Sequence, residues 1–345
     1  MTGRPAPRHT GTGRSPRGRA RFVYLISSLL ATFTVTVALV PAGCGAGEPA
    51  NSSPSSTTSS PVKSTAVQRP AGFPITLTDD LGRSATIPGE PQRIVSTAPS
   101  NTEILFALGL GSRVVGVSSL DDYPPEAQAL AKIGDFQVNP EAVLACDPDL
   151  VLGFLGNEDA LAVVSDAGIP VLVFDPASVE GIYADIETIG RATGALSHAD
   201  ALIASVNAAV EAVAETARTT GASPRVFYAL DTALWTAGPG SFLDELIGLA
   251  HAINVAGEVT GAAVQPYYQL APEQLAAVDP DVILLPNTAF ASIDQFTSDP
   301  RFSGLKAVKE GRVILIDDVI VTRPGPRIAE GLEVLAAAIH PEAAF

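Results

Sequence analysis

A sixteen-residue stretch that occurs twice does most to limit what this chain can fold into. Residues 137–152 read QVNPEAVLACDPDLVL and residues 269–284 read QLAPEQLAAVDPDVIL, 132 positions apart, with half of the positions identical. An aromatic precedes each copy, Phe136 and Tyr268. Proline suits the first helical position, where its missing N–H is no loss, and a glutamate behind it suits the positive end of the helix dipole. Asn139 is a good N-cap and Ala271 a poor one. Asp-Pro then stops the helix, because a residue before proline avoids helical angles. Leu150-Val151-Leu152 and Val282-Ile283-Leu284 are short buried-strand runs. Each copy therefore predicts a short helix running into a strand.

Further pairs extend the symmetry. Arg93-Ile94-Val95-Ser96 answers Arg225-Val226-Phe227-Tyr228, and Val171 to Asp175 answers Val313 to Asp317. The folded part is thus two similar halves of α/β type, with a cleft between them.

The start of the chain is of another kind. Six arginines and no acid fall in residues 1–21, 22–40 are apolar or small throughout, and Ala42-Gly43-Cys44 follow after Pro41. A basic start, an apolar middle and small residues before a cut form an export signal. The apolar run could also span a bilayer, so an uncleaved anchor is the alternative. Cys44 favours cleavage, because Ala-Gly-Cys resembles the lipobox of bacterial lipoproteins, with Pro41 where leucine is usual. Residues 45–70 are rich in Ser, Thr, Pro and Gly, which bury too little surface to offset ordering entropy. The expected organisation is a signal peptide at 1–43, a lipidated Cys44 with a tether to 70, an N-terminal lobe at 71–178, connecting helices at 179–222 and a C-terminal lobe at 223–345.

Six of the 21 Lys and Arg residues lie before residue 22, so the remainder carries 15 bases against 37 acids. Such a chain repels phosphates and does not bind nucleic acid. Cys146 is the one cysteine besides Cys44 and reads as an inert core residue at an apolar helix position.

Along the folded chain, Ile75 to Ile87 predicts a hairpin around Asp80-Leu81-Gly82. Strands are expected at 94–96, 114–117, 150–152, 171–174, 225–230, near 253–255, at 282–285 and at 313–316. Helices are expected at 104–110, about 159–167, 179–217 with a break near Gly194, 241–249 capped by Ser241, and 328–339. Ser100 and Glu103 are spaced as a capping box. The breaker-free stretch 200–217 predicts one long helix joining the halves, a stiff joint with small hinge motion.

Catalytic motifs do not assemble. Gly109-Leu110-Gly111 follows a helix and not a strand, so it is no dinucleotide loop. His9, His198, His251 and His340 are scattered without metal spacing, and His251 reads as a helix-end residue. No nucleophile–base pair is present, and neither enzyme activity, metal site nor cofactor is expected. Two other patterns carry more. Glu141 and Glu273 are each an ordinary helix-start acid taken singly, but as a pair they form two negative posts, one per half. Phe136, Phe154, Trp235, Tyr267 and Tyr268 fall in expected loops, after strands or before the repeat helices, where open parallel sheets bind ligand.

The run Arg93 to Glu103, then Asp122-Tyr123-Pro124-Pro125, Asn139-Pro140-Glu141 and Asp147-Pro148-Asp149-Leu150-Val151 resembles the vitamin-B12-binding proteins of bacterial ABC importers, whose iron-siderophore and haem-binding relatives share the fold. The resemblance covers about 90–340. It implies two lobes with central parallel sheets, joined by a long helix, with ligand in the cleft. It implies that Glu141 and Glu273 dock on arginines of a membrane permease, and that Phe136, Phe154, Trp235 and Tyr267 line the cleft, with Asp318 and Arg323 near a polar pair opposite. Leu120 departs from the tyrosine of those relatives. The implied partners are an ABC permease, the membrane through a lipid anchor, and a corrinoid, with a ferric siderophore or haem as alternatives. Tyr123, Tyr267 or His251 could ligate haem. The protein is expected to be a monomer on the outer face of the cell membrane.

Overall fold

The computed structural model describes residues 72–259 and 265–345. The export signal, Cys44 and the tether lie outside the described residues. The N-terminal half opens with the hairpin of β1 (Ile75–Thr78) and β2 (Ser84–Ile87). It continues through β3 (Ile94–Ser96), α1 (Pro99–Ala107), β4 (Val114–Val117), β5 (Ala131–Lys132), α2 (Pro140–Ala145), β6 (Leu150–Phe154), α3 (Glu158–Asp166) and β7 (Val171–Phe174). These strands form a parallel sheet of order β5-β4-β3-β6-β7.

Two connecting helices follow, α4 (Val179–Thr193) and α5 (Leu196–Thr219). The second half runs β8 (Arg225–Tyr228), β9 (Trp235–Ala237), α6 (Phe242–Leu249), β10 (Ile253–Asn254), β11 (Tyr267–Gln269), α7 (Pro272–Val278), β12 (Val282–Pro286), α8 (Asp294–Thr297), α9 (Lys306–Lys309), β13 (Val313–Ile316), α10 (Asp318–Thr322) and α11 (Ile328–Ile339). Its parallel sheet has the order β10-β8-β12-β13, while β9 and β11 pair antiparallel beside it.

The repeated Asp-Pro-Asp owes its form to backbone geometry. Asp147 and Asp279 sit in the left-handed region at φ 48° and 41°, which aspartate tolerates better than most residues. Each ends its helix there. The carbonyl thus turned outward accepts an arginine side chain, Arg93 Nε on Asp147 at 2.7 Å and Arg225 Nη1 on Asp279 at 3.1 Å. The second aspartate reaches across to the strand that arginine begins. Asp149 accepts the Gln92 and Arg93 amides at 2.7 and 2.9 Å, and Asp281 accepts the Arg225 amide at 2.8 Å. The motif therefore clamps β6 to β3 and β12 to β8.

Four of the eleven described α-helices start at a side-chain cap, α2, α4 and α6 among them. Asn139 Oδ1 accepts the Ala142 amide at 3.1 Å, Ser178 Oγ the Gly181 amide at 2.9 Å, and Ser241 Oγ the Asp244 amide at 3.2 Å. Ala271 has no acceptor, and its own amide is instead taken by Gln274 Oε1 at 2.8 Å. The Ser100–Glu103 capping box does not form. The first helix starts earlier, at Pro99, with Ala98 at its N-cap and no side-chain bond there. Glu103 is buried and turned elsewhere, as described below. Cys146 is the residue after the last turn of α2, half-buried against an apolar cluster, and burial pushes its thiol up.

One apolar cluster joins the halves. It includes Ile94, Leu150 and Leu172 of the first sheet, Ile182, Ile186 and Ile189 of α4, Val206 and Val210 of α5, and Val226, Leu246 and Leu335 of the second half. The start of α4 is also tied to α6, where Glu245 Oε2 accepts the Val179 amide at 2.8 Å. Sliding one half over the other would expose part of this cluster, which favours the stiff joint expected from the sequence.

Gly190, in the last turn of α4, packs closely against α5. A Cβ there would lie 2.4 Å from the Ala199 Cβ of α5. Helix propensity alone favours Gly190→Ala by about 1 kcal/mol, but overpacking costs about 1–3 kcal/mol. Gly190→Ala should therefore lower the thermal midpoint, and Ala199→Gly in the same chain should recover part of the loss. A higher midpoint for Gly190→Ala would mean the helices can part freely.

Candidate functional site

The strands of both sheets are parallel, so their C-terminal ends and the segments leaving them gather along one edge of each sheet, where such folds place ligands. Phe136 lies on the segment between β5 and α2 and is 80 % exposed. Its backbone is fixed, since Asn157 Nδ2 donates to its carbonyl at 3.2 Å and Asn157 Oδ1 accepts the Val138 amide at 2.9 Å. Phe154 is the last residue of β6 and half-buried.

Trp235, Tyr267 and Tyr268 stand in strands, not in the loops expected from the sequence. The pairing of β9 with β11 sets Trp235 opposite Gln269, Thr236 opposite Tyr268 and Ala237 opposite Tyr267. Side chains alternate along a strand, so Trp235 and Tyr267 share one face while Thr236 and Tyr268 share the other. Trp235 and Tyr267 are accordingly about two-fifths exposed. Tyr268 turns inward, packs against the apolar cluster of the second half, and donates its hydroxyl to the Ala256 carbonyl. Alternation thus takes Tyr268 out of the aromatic group that Trp235 and Tyr267 form.

Charged residues from both halves meet at the same sheet edges. Arg323 follows α10, and its Nη1 donates to Glu103 Oε1 at 2.8 Å and to Asp122 Oδ1 at 2.7 Å. Arg327 donates from Nη2 to Glu103 Oε1 at 2.8 Å and from Nε to Glu103 Oε2 at 3.0 Å. Its guanidinium stacks 3.9 Å from the ring centroid of Tyr123. The Glu103 side chain is 1 % exposed and its two arginines 12 % and 20 %. Burial works against the Arg323 charge, and its bonds to Glu103 and Asp122 more than offset this, holding its pKa above the ordinary value. Asp318 does not join Arg323. Its carboxylate takes the Thr288 hydroxyl at 2.9 Å instead.

Beside this cluster Asp121 is buried, and neither carboxylate oxygen has a hydrogen-bond partner, the nearby Thr102 hydroxyl donating to Ser96 Oγ at 2.8 Å. Burial pushes the Asp121 carboxyl up to about 6, against the pull of Thr102, Lys132 and Arg323. Glu103, Asp121, Asp122 and Arg327 are not among the site residues expected from the sequence, although Glu103 and Asp122 fall in the runs that carry the family resemblance. Arg323 and Arg327 are spaced four apart on either side of Gly325, but their partners are some two hundred residues away. Gly325 packs on α1 at ordinary contact, and a Cβ there would lie 3.6 Å from the Ser100 Cα.

Glu141 and Glu273 are both exposed, each in the first turn of its repeat helix. A groove of about 610 Å³ lies beside the second, lined by Leu234, Pro272, Phe290, Phe296 and Arg301 among others. It is built from the second half alone and is not the space between the sheets. His251 follows the end of α6 in the left-handed region, a helix-end role. Among the described residues no group of three or more His, Cys, Asp or Glu could hold a metal ion.

Residues 94–320 match the family described as periplasmic binding protein. The chain belongs to this family. It is 37 % identical over 88 % of its length to an uncharacterized ABC transporter substrate-binding lipoprotein, YvrC, of Bacillus subtilis, covering 94 % of that protein. It is 32 % identical over 93 % of its length to a cobalamin-binding protein of Halobacterium salinarum, covering 85 % of it. Among solved structures it is similar to the periplasmic heme-binding protein RhuT of Roseiflexus sp. RS-1 in apo form, with a TM-score of 0.66, 31 % identity, and coverage of 72 % of this chain and 98 % of that one. The family places the chain as a substrate-binding component of an ABC transporter, not an enzyme. No helix among the described residues is long and apolar enough to cross a membrane.

The raised Asp121 pKa has a fixed sign in stability. The folded state holds its proton more tightly than the unfolded chain, so the cost of Asp121 is absent below about pH 4 and complete above about pH 6. Asp121→Asn should stabilise the protein at pH 7 to 8 by up to about 3 kcal/mol, with the gain vanishing as pH falls to 4. Denaturant titrations across that range measure it, and a gain independent of pH would place the Asp121 charge in contact with water.

Proposed function

We propose that this protein is the extracytoplasmic, lipid-anchored binding component of an ABC importer that captures a corrinoid and delivers it to the membrane permease. The observation that carries the choice of ligand is a pairing of features at the sheet edges. Phe136, Trp235 and Tyr267 offer exposed aromatic faces there, while Arg323 and Arg327 already carry carboxylate partners. A large macrocycle rimmed by uncharged amides is suited to aromatic walls and makes no demand on free cations. A ferric siderophore bearing several anionic groups would have to compete with Glu103 and Asp122 for both guanidinium groups.

Haem is the second reading, favoured by the likeness to the heme-binding RhuT. Its oxygen ligand would come from Tyr123 or Tyr267, although the Tyr123 ring already supports Arg327. We take the ligand to lie between an N-terminal lobe at 71–178 and a C-terminal lobe at 223–345, with the helices of 179–222 as the joint.

Visible spectra of the protein titrated with cyanocobalamin, haemin or a ferric siderophore separate the three ligands. Cyanocobalamin should bind and quench the single tryptophan. Trp235→Ala should weaken binding about fivefold or more, equivalent to roughly 1 kcal/mol for an aromatic contact. An unchanged dissociation constant in a folded Trp235→Ala protein would remove Trp235 from the site.

Docking is a separate step in this reading. Two exposed carboxylates at matching helix starts suit two basic sites on a permease, and losing one side of a desolvated interface pair costs roughly 2–5 kcal/mol. The Glu141→Ala/Glu273→Ala protein should bind ligand normally and remain on washed membranes, yet fail in uptake. Cys44→Ala should instead release the protein from those membranes. Normal uptake by the double variant would discard the docking role.

A further inference from the structure

Two guanidinium groups sit where the two halves meet, and each has been given a carboxylate by the opposite half. Arg323 and Arg327 come from the segment after α10, whereas Glu103 belongs to α1 and Asp122 to the segment after β4. Glu103 is the more committed partner. It accepts three N–H bonds and its side chain is 1 % exposed, so displacing an arginine would leave a buried carboxylate short of partners. Asp122 differs, with a side chain 62 % exposed and one bond to Arg323 at 2.7 Å. It reaches Arg323 from the solvent side, the side from which an incoming anion would also arrive.

We propose that Glu103 and Asp122 are specificity-determining residues: built-in anions that occupy Arg323 and Arg327 and make the cleft reject ligands bearing carboxylates in favour of ligands with uncharged amide rims. This inference rests on the corrinoid reading for its natural ligand and deepens it. The physics is competition for one geometry. A planar guanidinium binds a carboxylate through paired N–H donors, and an amide offers it one neutral oxygen. A ligand carboxylate near Arg323 would also meet the buried charge of Glu103, where screening by water is weak, and the more exposed charge of Asp122 at short range. A ligand amide meets no such repulsion. Removing the outer carboxylate frees Arg323 toward solvent and lifts one repulsive charge, while Glu103 keeps the halves joined.

The test holds the ring constant and changes one charge. Cyanocobalamin is compared with its mono-acids, in which one peripheral propionamide is hydrolysed to a carboxylate. For the wild-type protein at least one mono-acid should bind roughly tenfold more weakly than the amide, the size of one unfavourable charge contact in a partly buried site. In Asp122→Asn that ratio should fall to about threefold or less, and Asp122→Glu should restore it. Glu103→Gln should lower the ratio further if it folds, and the exposed Asp122 keeps the test available if it does not. A structural role for Asp122 would change both affinities together and leave the ratio alone, which would overturn the proposal. So would equal binding of amide and acids by the wild-type protein. If the wild-type protein binds no cyanocobalamin, the corrinoid reading fails by itself. The same ratio is then measured between haemin and its dimethyl ester, with Asp122→Asn again expected to favour the acid form and an unmoved ratio again overturning the inference.

Discussion

Each half of this protein is held by one repeated device, an arginine and two aspartates that close the start of a strand against the end of a helix. Arg93 with Asp147 and Asp149, and Arg225 with Asp279 and Asp281, do the same work at equivalent places. In both copies the first aspartate sits in the left-handed region and its carbonyl accepts the arginine side chain. It lies at the N-terminal ends of the strands. The opposite edges carry the exposed aromatic residues and the interlobe charges.

Those charges stand on a stiff base. The apolar cluster that runs through α4 and α5 into both sheets gives the halves a common interior. The interlobe charges lie beside this shared interior, with Arg323 and Arg327 on one side and Glu103 and Asp122 on the other. Charge matters strongly in such a place, since a buried ion pair gains little net stability but makes any replacement of one partner costly. Asp121 fits the same picture as a buried acid with no partner, supported by its neighbours and shifted toward the neutral form.

Where the chain spells out local rules, reading and structure agree closely. The repeat helices start at Pro140 and Pro272, Ser241 caps its helix, and the last strand and last helix fall on 313–316 and 328–339. Prolines, caps and apolar periodicity act over a few residues, so they are visible in one dimension. Trp235 and Tyr267 read as loop residues in the sequence because β9 and β11 are three residues each, and neither is a strand without the other. Ser100 and Glu103 had the spacing of a cap, but spacing does not reveal that Glu103 has two arginines to meet.

The sequence by itself determined that there are two similar α/β halves, that a long helix joins them, and that a matching glutamate opens each repeat helix. It did so because internal duplication and helix or strand period are properties of neighbours in the chain. Tertiary structure alone decided that Tyr268 faces inward while Tyr267 faces out, and that Arg323 and Arg327 are claimed by Glu103 and Asp122. Those outcomes depend on which strand pairs with which and on contacts between residues more than two hundred positions apart. Electrostatic energy depends on distance through space, and distance along the chain carries no trace of it.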